Sequence, residues 1–528
     1  MKFPSHISIP KATLETIWEA ITVPKFDDHL VKTKLAETTE RPVTIEDLKA
    51  AITRAPVTSV PGPSGLSYAM MKEWTPKGLQ KAFDCMTMIW ETGQIPNWWK
   101  RKWLCPKAKV DPSQATLEDL RPLCLIETTR KIWLGIIVGR IVTVWETDKV
   151  LAEGQYGFRQ GRGCEGPTLQ VVNVLEDAEE VSTEIHGSSL DIRRAFDTIS
   201  KPILLMSWQR LGVPERIAKL IVDMDKDCLT ILLTPHAMHI LNTKGITALG
   251  TDPTTSSTAR GFFPATGTSQ GDTPSPVNWN ASLDVLLRAL HAIDPTPFFV
   301  RTNDNIHPLD DTAYADDLFS ISSRREGLQA KADVVSAFTI IFGLKIAIHK
   351  LRTFAKCWGE EPSNHTNTDY ELTVHNRYWI PTAIPVTYIA GELDNDSVFK
   401  YLGVYIDSNN RYLRQYRATK ELICRTCETA TFRQASAETI TTVMLVSPFR
   451  KASFPAKYCP WSKKQLQDLD KPVSALYKHH LNLMSSTSKA ALYMTNDTGG
   501  MGIRRLSDQI LSDKWAMTWR GLHADLCH

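Results

Sequence analysis

Thr312-Ala313-Tyr314-Ala315-Asp316-Asp317-Leu318-Phe319-Ser320-Ile321-Ser322 is the stretch on which the fold turns. It predicts a hairpin. Its second arm alternates Phe319 and Ile321 with Ser320 and Ser322, the pattern of a half-buried strand. The tip carries two adjacent carboxylates, Asp316 and Asp317. An isolated Asp-Asp pair is by default a solvated turn, and that reading suits Asp310 and Asp311 just upstream. For Asp316 and Asp317 the surrounding chain argues otherwise.

Downstream, Leu328, Ala332, Val335 and Phe342 fall on one face of a helix that Gly343 ends, and a strand is expected from Leu344 to Ile348. Upstream, Ser189 to Ile192 suits a short strand. A turn with Asp197 follows, then a helix with Ser200 as cap and Pro202 early, stopped by Gly212 and Pro214. Asp191, Asp316 and Asp317 thus emerge on two strand ends. Carboxylates held together repel, and a fold keeps such a cluster mainly when cations neutralise it. Hard oxygen donors facing a phosphate-bearing substrate suit Mg²⁺. Two such ions about 4 Å apart activate a 3′-hydroxyl and stabilise a departing pyrophosphate.

Composition sets wide bounds. The 528 residues are 42% hydrophobic and 23% charged, enough for a large core and about three or four domains or subdomains. A net charge of +3 does not by itself point to nucleic acid. Ten scattered cysteines suit reduced thiols and an intracellular protein, and Met1 to Pro10 lacks an apolar signal core. Ile132 to Trp145, interrupted by Arg140, is too short to span a bilayer and predicts a buried helix. Residues 1 to 55 read mostly helical. Thr44 and Asp47 form a capping box, with Leu48, Ala51 and Ile52 on one face, and a second helix runs from about Lys77 to Glu91. Pro61 to Gly65 predicts a turn, and residues 250 to 268 a loop.

Three blocks carry a resemblance. Tyr314-Ala315-Asp316-Asp317 resembles the signature hairpin of reverse transcriptases. Asp191-Ile192-Arg193-Arg194-Ala195-Phe196-Asp197 is similar to their first catalytic strand. Gly267-Thr268-Ser269-Gln270-Gly271-Asp272-Thr273-Pro274-Ser275-Pro276, between them, resembles the Gln-Gly block of that family. Pro61 to Gly65 resembles the Pro-Gly-Pro-Asp-Gly turn of non-LTR retrotransposon enzymes, with Ser64 where Asp is usual. Pro106-Lys107, Arg121-Pro122-Leu123 and Tyr156-Gly157-Phe158-Arg159 are similar to finger blocks. Gly343-Leu344-Lys345 with Lys350 resembles the block after the hairpin, with Ala347 where Asn is common. Tyr401-Leu402-Gly403-Val404 resembles the primer grip, and Gly499-Gly500-Met501-Gly502-Ile503 a downstream glycine motif. The match runs from about residue 45 to 505 and favours the non-LTR branch.

The resemblance implies an α+β right-hand polymerase. Its expected layout is an N-terminal helical extension (1–60), fingers (61–187), a palm with an antiparallel sheet and the catalytic motifs (188–398), and a primer grip, thumb and C-terminal helical region (399–528). It implies two Mg²⁺ ions, with Mn²⁺ as substitute, on Asp191, Asp316, Asp317 and the backbone carbonyl of Ile192. Phe196 would be the steric gate against a 2′-hydroxyl. Lys107 and Arg121 would take the triphosphate, and Gln270 and Gly271 would lie against nucleotide and template. Lys350 would protonate the leaving pyrophosphate. Asp197 would cap the following turn, and Arg159 would either hold the template or brace the fingers by a salt bridge. Arg411, Arg414, Arg417 and Lys420 would grip the primer–template backbone. A single Cys424-x-x-Cys427 is half a zinc site with no matching second pair nearby, so buried thiols on a helix face are expected, the alternative being ligation with His479 and His480; Cys527 and His528 would belong to a separate zinc knuckle cut off at the end of the chain.

The implied partners are an RNA template, a DNA primer or target DNA and dNTPs, with no membrane and a nuclear location. No endonuclease segment is recognisable, so another chain or further sequence would supply that step. The rivals are a group II intron-type reverse transcriptase or maturase, an RNA-dependent RNA polymerase, and a non-catalytic RNA-binding scaffold. RNA polymerases usually carry Gly before the Asp pair, and Phe196 argues against ribonucleotides.

Overall fold

A computed structural model of the chain describes residues 11–22, 29–111, 114–116, 119–233, 261–301, 306–309, 311–357, 369–376, 380–390, 398–407, 412–433 and 435–522. The expectations for Met1 to Pro10, residues 250–260, Asp310, Arg411, Cys527 and His528 lie outside the described residues.

Strands β1 (Arg101–Ala108) and β2 (Leu120–Ile126) precede β3 (Ile185–Asp191). Then come β4 (Leu229–Leu232), β5 (Gly261–Phe262), β6 (Phe299–Arg301), β7 (Ile306–Pro308), β8 (Thr312–Tyr314) and β9 (Asp317–Ser322). They are followed by β10 (Arg352–Cys357), β11 (Asp369–His375), β12 (Pro381–Ala390), β13 (Val398–Tyr401) and β14 (Val404–Asp407). A six-stranded sheet has the order β11-β12-β10-β3-β9-β8, antiparallel except between β10 and β12. A smaller sheet, β2-β1-β4-β5, has one parallel pair, β1 with β4. β13-β14 and β6-β7 are separate hairpins. The architecture is mixed α and β, with mostly antiparallel pairing.

Helices close around the large sheet. The capping box at Thr44 forms as expected and starts helix Ile45–Arg54, which buries Leu48 and Ile52. Helix Thr128–Thr147 hides Trp133, Ile137, Ile141 and Trp145 completely, and helix Ser275–Ile293 is buried along most of its length. A helix apolar all round is a core helix when neighbours surround it. Among the described residues no helix is long and apolar enough to cross a membrane. Helix Arg325–Phe342 turns Leu328, Ala332, Val335 and Phe342 inward, and Gly343 ends it in the left-handed region. From Leu413 onward the described chain is largely helical, with its own core of Ile423, Leu469, Val473, Leu476 and Ile510.

Several expectations need correction. β3 begins at Ile185, four residues earlier than Ser189, because β10 pairs with it from Ile185 to Ser189. No strand runs from Leu344 to Ile348. A single bridge joins Ile346 to Ile192, and a 3₁₀ turn, Ile348–Lys350, takes over. β9 is not half-buried, for Ser320 and Ser322 are as hidden as Phe319 and Ile321. Its polar side faces a sealed charge cluster, in which Lys331 lies 2.9 Å from Asp294 and 3.0 Å from Asp311. Asp311 is therefore no solvated turn residue; it is buried and paired. Gly261 and Phe262, expected in a loop, form the short edge strand β5.

Candidate active site

The β3–β9 register sets Leu190 opposite Leu318 and Asp191 opposite Asp317. Tyr314 pairs with Asp317 in turn, so Ala315 and Asp316 form a two-residue hairpin loop. Such loops favour positive φ at their first central residue, and Ala315 adopts φ 59°. Its carbonyl accepts a 2.7 Å hydrogen bond from Trp279 Nε1, on the buried helix behind. The three expected carboxylates therefore converge at one end of the neighbouring strands β3 and β9. Burial, then the charge of Asp191, pushes Asp316 up to about 6. Asp317 is likewise pushed up to about 6 by burial and by the charges of Asp316 and Asp191.

Lys350 reaches the same place. Its ammonium donates to Asp191 Oδ2, and that bond raises its pKa. The bridge beneath is built from the Arg193 N–H on the Lys345 carbonyl (2.8 Å) and the Ala347 N–H on the Asp191 carbonyl (2.9 Å). Ala347, without a polar side chain, thus serves through its backbone. Those two bonds leave the Ile192 carbonyl uninvolved. Among the described residues no group of three or more His, Cys, Asp and Glu side chains is already arranged to hold a metal ion. The donors fit a hard divalent ion nonetheless: they are carboxylate oxygens in mutual repulsion, and a lysine ammonium already supplies positive charge to one of them.

Phe196 lies half-buried, its ring 5.8 Å from Trp279 and 6.0 Å from Phe158, centroid to centroid. The Gln-Gly block is bolted to this motif. Thr268 N–H donates to the Phe196 carbonyl (2.7 Å), and Gly267 N–H to that of Ile199 (2.7 Å). Gln270 Nε2 donates to Asp197 Oδ1 at 3.1 Å, a contact the sequence did not disclose. Asp197, expected only to cap a turn, is raised in pKa by burial. Gly271, with φ 111°, does permit close approach, here to protein backbone. A Cβ there would sit 2.6 Å from the Cys124 carbonyl oxygen of β2, and Cys124 N–H donates to the Gln270 carbonyl at 2.7 Å.

A cavity of about 460 Å³ opens between this block and the small sheet, lined by Asp197, Gln270, Leu104, Pro106, Pro122 and Cys124 among others. Lys107 and Arg121 face each other across β1 and β2, exposed, and do not line it. The cation of this hairpin whose charge is felt at Asp316 and Asp197 is Lys109, which the sequence reading passed over. Arg159 binds Glu146 at 2.7 Å and is buried, a brace within the protein. Ser64 donates through its N–H (2.8 Å) and hydroxyl (2.5 Å) to Glu127; an Asp in its place would confront a second carboxylate. In the C-terminal part, Arg414 lies over the Tyr405 ring and Lys420 donates to Asp468. Cys427 is buried on helix Leu413–Thr431 beside half-buried Cys424, as expected of thiols on a helix face.

Comparison with known proteins gives the family. The family model described as reverse transcriptase (RNA-dependent DNA polymerase) matches residues 105–406, more than half of the chain. The chain is 28% identical to the RNA-directed DNA polymerase from mobile element jockey of Drosophila melanogaster, over 33% of this chain and 19% of that protein. It is 27% identical to the Pol polyprotein from retrotransposable element R2DM of the same fly, over 59% and 26%. With the R2 polyprotein of Popillia japonica it shares 23% over 90% of this chain and 60% of the relative. The chain thus spans about a fifth to three fifths of the length of these relatives. The matched region contains every residue of the carboxylate cluster, Phe196, Gln270 and Lys350, and the chain belongs to the reverse transcriptase family.

Proposed function

We propose that the chain is an RNA-directed DNA polymerase of a non-LTR retrotransposon. It would add dNTPs to a primer 3′-hydroxyl along an RNA template. The observation that carries this reading is the pairing of Asp191 with Asp317 across neighbouring strands, with Asp316 beside them, Phe196 in the turn that follows Asp191 and Gln270 bonded to Asp197 of that turn. The primer 3′-oxygen attacks the α-phosphorus of the dNTP, the bond to the bridging oxygen breaks, and pyrophosphate leaves. The protein's part is mainly positioning and charge compensation.

Asp191, Asp316 and the Ile192 carbonyl would hold two Mg²⁺ ions, or Mn²⁺ in their place, with Asp317 completing the acidic field. When bound, such ions lower the pKa of an attacking hydroxyl and neutralise charge on the phosphates. Phe196, braced by Trp279 and Phe158, would sit under the sugar and exclude a 2′-hydroxyl. Gln270 and Gly271 would meet the nucleotide and template, and Lys107, Arg121 and Lys109 the triphosphate. Lys350, whose ammonium donates to Asp191 at the same site, is the candidate proton donor to pyrophosphate.

Residues 61–187 are read as fingers, 188–398 as palm and 399–528 as primer grip and thumb, with 1–60 as an N-terminal extension. RNA template, DNA primer or target DNA and dNTPs are the partners, and chromosomal DNA sets the place of action in the nucleus. The nick that creates the primer is assigned to a separate endonuclease or to further sequence. The test is primer extension on poly(rA)–oligo(dT) with Mg²⁺ and dTTP. The unaltered chain extends the primer with dTTP in preference to UTP, and Asp316→Ala with Asp317→Ala abolishes extension. Extension that survives the double change overturns the reading.

A further inference from the structure

We infer that Asp197 is the positioning residue for Gln270: its carboxylate takes an amide N–H of Gln270 and so fixes which side of that amide faces the nucleotide. The inference rests on the polymerase reading and deepens it.

A side-chain amide has two faces of opposite hydrogen-bonding character, and packing alone seldom distinguishes them. An ionised carboxylate does, because it only accepts. Gln270 Nε2 lies 3.1 Å from Asp197 Oδ1, so the amide oxygen is turned away from Asp197. Both residues line the 460 Å³ cavity between the Gln-Gly block and the small sheet. The backbone around the pair is already fixed. Thr268 N–H is bound to the Phe196 carbonyl and Cys124 N–H to the Gln270 carbonyl. Thr266 Oγ donates to the Asp197 carbonyl at 3.1 Å. Gly267, with φ 85°, lets that strap lie against Asp197; a Cβ there would stand 2.6 Å from the same carbonyl oxygen. With both backbones held, the Gln270 amide keeps freedom only about its own side-chain torsions, and Asp197 removes it. The segment bearing the proposed sugar gate and the segment bearing the proposed nucleotide contact thereby act as one unit. A turn-capping role for Asp197 needs no Gln270, and that difference is testable.

Two measurements on the full chain decide it. One is steady-state extension of poly(rA)–oligo(dT). The other is the dissociation constant of dTTP on the same complex with a dideoxy-terminated primer, which needs no turnover. Asp197→Ala raises KM and Kd for dTTP by about tenfold, the worth of one charge-assisted hydrogen bond, while kcat stays within about threefold. Asp197→Leu, nearest in shape without an acceptor, does the same and serves if the alanine variant folds poorly. Asp197→Asn can turn its amide oxygen to Gln270 and restores binding to within about threefold. Asp197→Ala in a Gln270→Ala background adds nothing further. Unchanged dTTP binding in Asp197→Ala and Asp197→Leu, or additive losses in the double variant, overturns the inference. An unaltered chain that binds dTTP but does not extend the primer sinks the polymerase reading instead, while the binding arm still decides between the two roles of Asp197.

Discussion

Asp316 and Asp317 are at odds with their surroundings, and the sign of that conflict can be worked out. Both carboxyls are raised to about 6, above an ordinary value of 3.8, by burial and by mutual repulsion with Asp191. A raised carboxyl favours the folded state while protonated and loses that advantage as pH climbs through its folded value. The protein alone is therefore expected to lose stability between about pH 4 and pH 7 at this site, opposite to a salt-bridged aspartate. A divalent ion relieves the repulsion only once the carboxylates are ionised. Mg²⁺ should raise the melting temperature clearly at about pH 8 and hardly at about pH 5, and Asp316→Asn with Asp317→Asn should erase the shift. An Mg²⁺ shift equal at both pH values, or retained in the double variant, refutes the assignment. Phe196 gives a second test at this scale. Its ring, in the helical turn Ala195–Thr198 after β3, packs on Trp279 and Phe158, so Phe196→Val opens space there. UTP use relative to dTTP should rise by at least about tenfold, the worth of a steric clash of about 1.4 kcal/mol. Unchanged discrimination in a folded variant would remove Phe196 from the gate.

Elements are joined by charges that no local pattern announces. Arg130, on helix Thr128–Thr147 and wholly buried, pairs with Asp272 of the Gln-Gly block, 142 residues away. Lys102 of β1 lies 2.9 Å from Asp225, and Ser269 Oγ donates to the same carboxylate at 2.6 Å. Lys102 and Arg130 hold Asp225 far below the usual carboxylate range in spite of its burial. Asp272→Ala leaves the Arg130 guanidinium with Asp225 at 3.5 Å as its remaining ion partner. It should cost about 3–5 kcal/mol in urea unfolding, and Arg130→Met with Asp272→Leu should recover most of that. A loss under about 1 kcal/mol for Asp272→Ala would mean the pair is solvated rather than sealed. This network also shows why some of the site was legible and some was not. Asp191, Asp316, Asp317, Phe196 and Gln270 stand in short ordered blocks whose spacing the backbone itself enforces, so one pass along the chain finds them. The capping box at Thr44 and the stop at Gly343 are local in the same sense. Asp225, Arg130, Lys109 and the Asp197–Gln270 bond acquire meaning only when β1, β2 and the Gln-Gly block meet in space. Ser320 and Ser322 misled for a related reason: alternation signals a polar face, and here that face is sealed against Asp294, Asp311 and Lys331 rather than wetted.

At the scale of the molecule, stability is divided among cores that share few residues. The largest packs the N-terminal helices, helix Thr128–Thr147 and helix Ser275–Ile293 on the big sheet. A second lies within residues 412–510. A third bridges them, joining Val171, Ile185, Phe319 and Phe354 to Tyr401, Ile406 and Tyr458. Beside this bridge stands Glu165, in the first turn of helix Glu165–Glu180. It binds Lys457 of helix Pro448–Ala456's C-terminal end and, at 2.8 Å, Arg520 of helix Leu506–Leu522. Lys457 is buried and also lies over the rings of Phe454 and Tyr458, so it cannot regain water when its partner is removed. Arg520 is exposed and can. Glu165→Gln should therefore weaken the junction by about 1–3 kcal/mol, the cost of leaving a buried cation short of its charged acceptor. Arg520→Ala should change stability by less than about 0.5 kcal/mol. Because the second core is self-contained, the loss at the junction should appear in calorimetry as broadening or splitting of the unfolding transition, not as a uniform shift. Primer–template affinity should fall in the same variant, since the proposed grip needs both bodies held in one relation. A Glu165→Gln protein that melts as sharply as the unaltered chain, at the same temperature, would show that the apolar bridge of Phe319, Tyr401 and Tyr458 carries the junction without help from the ion pair.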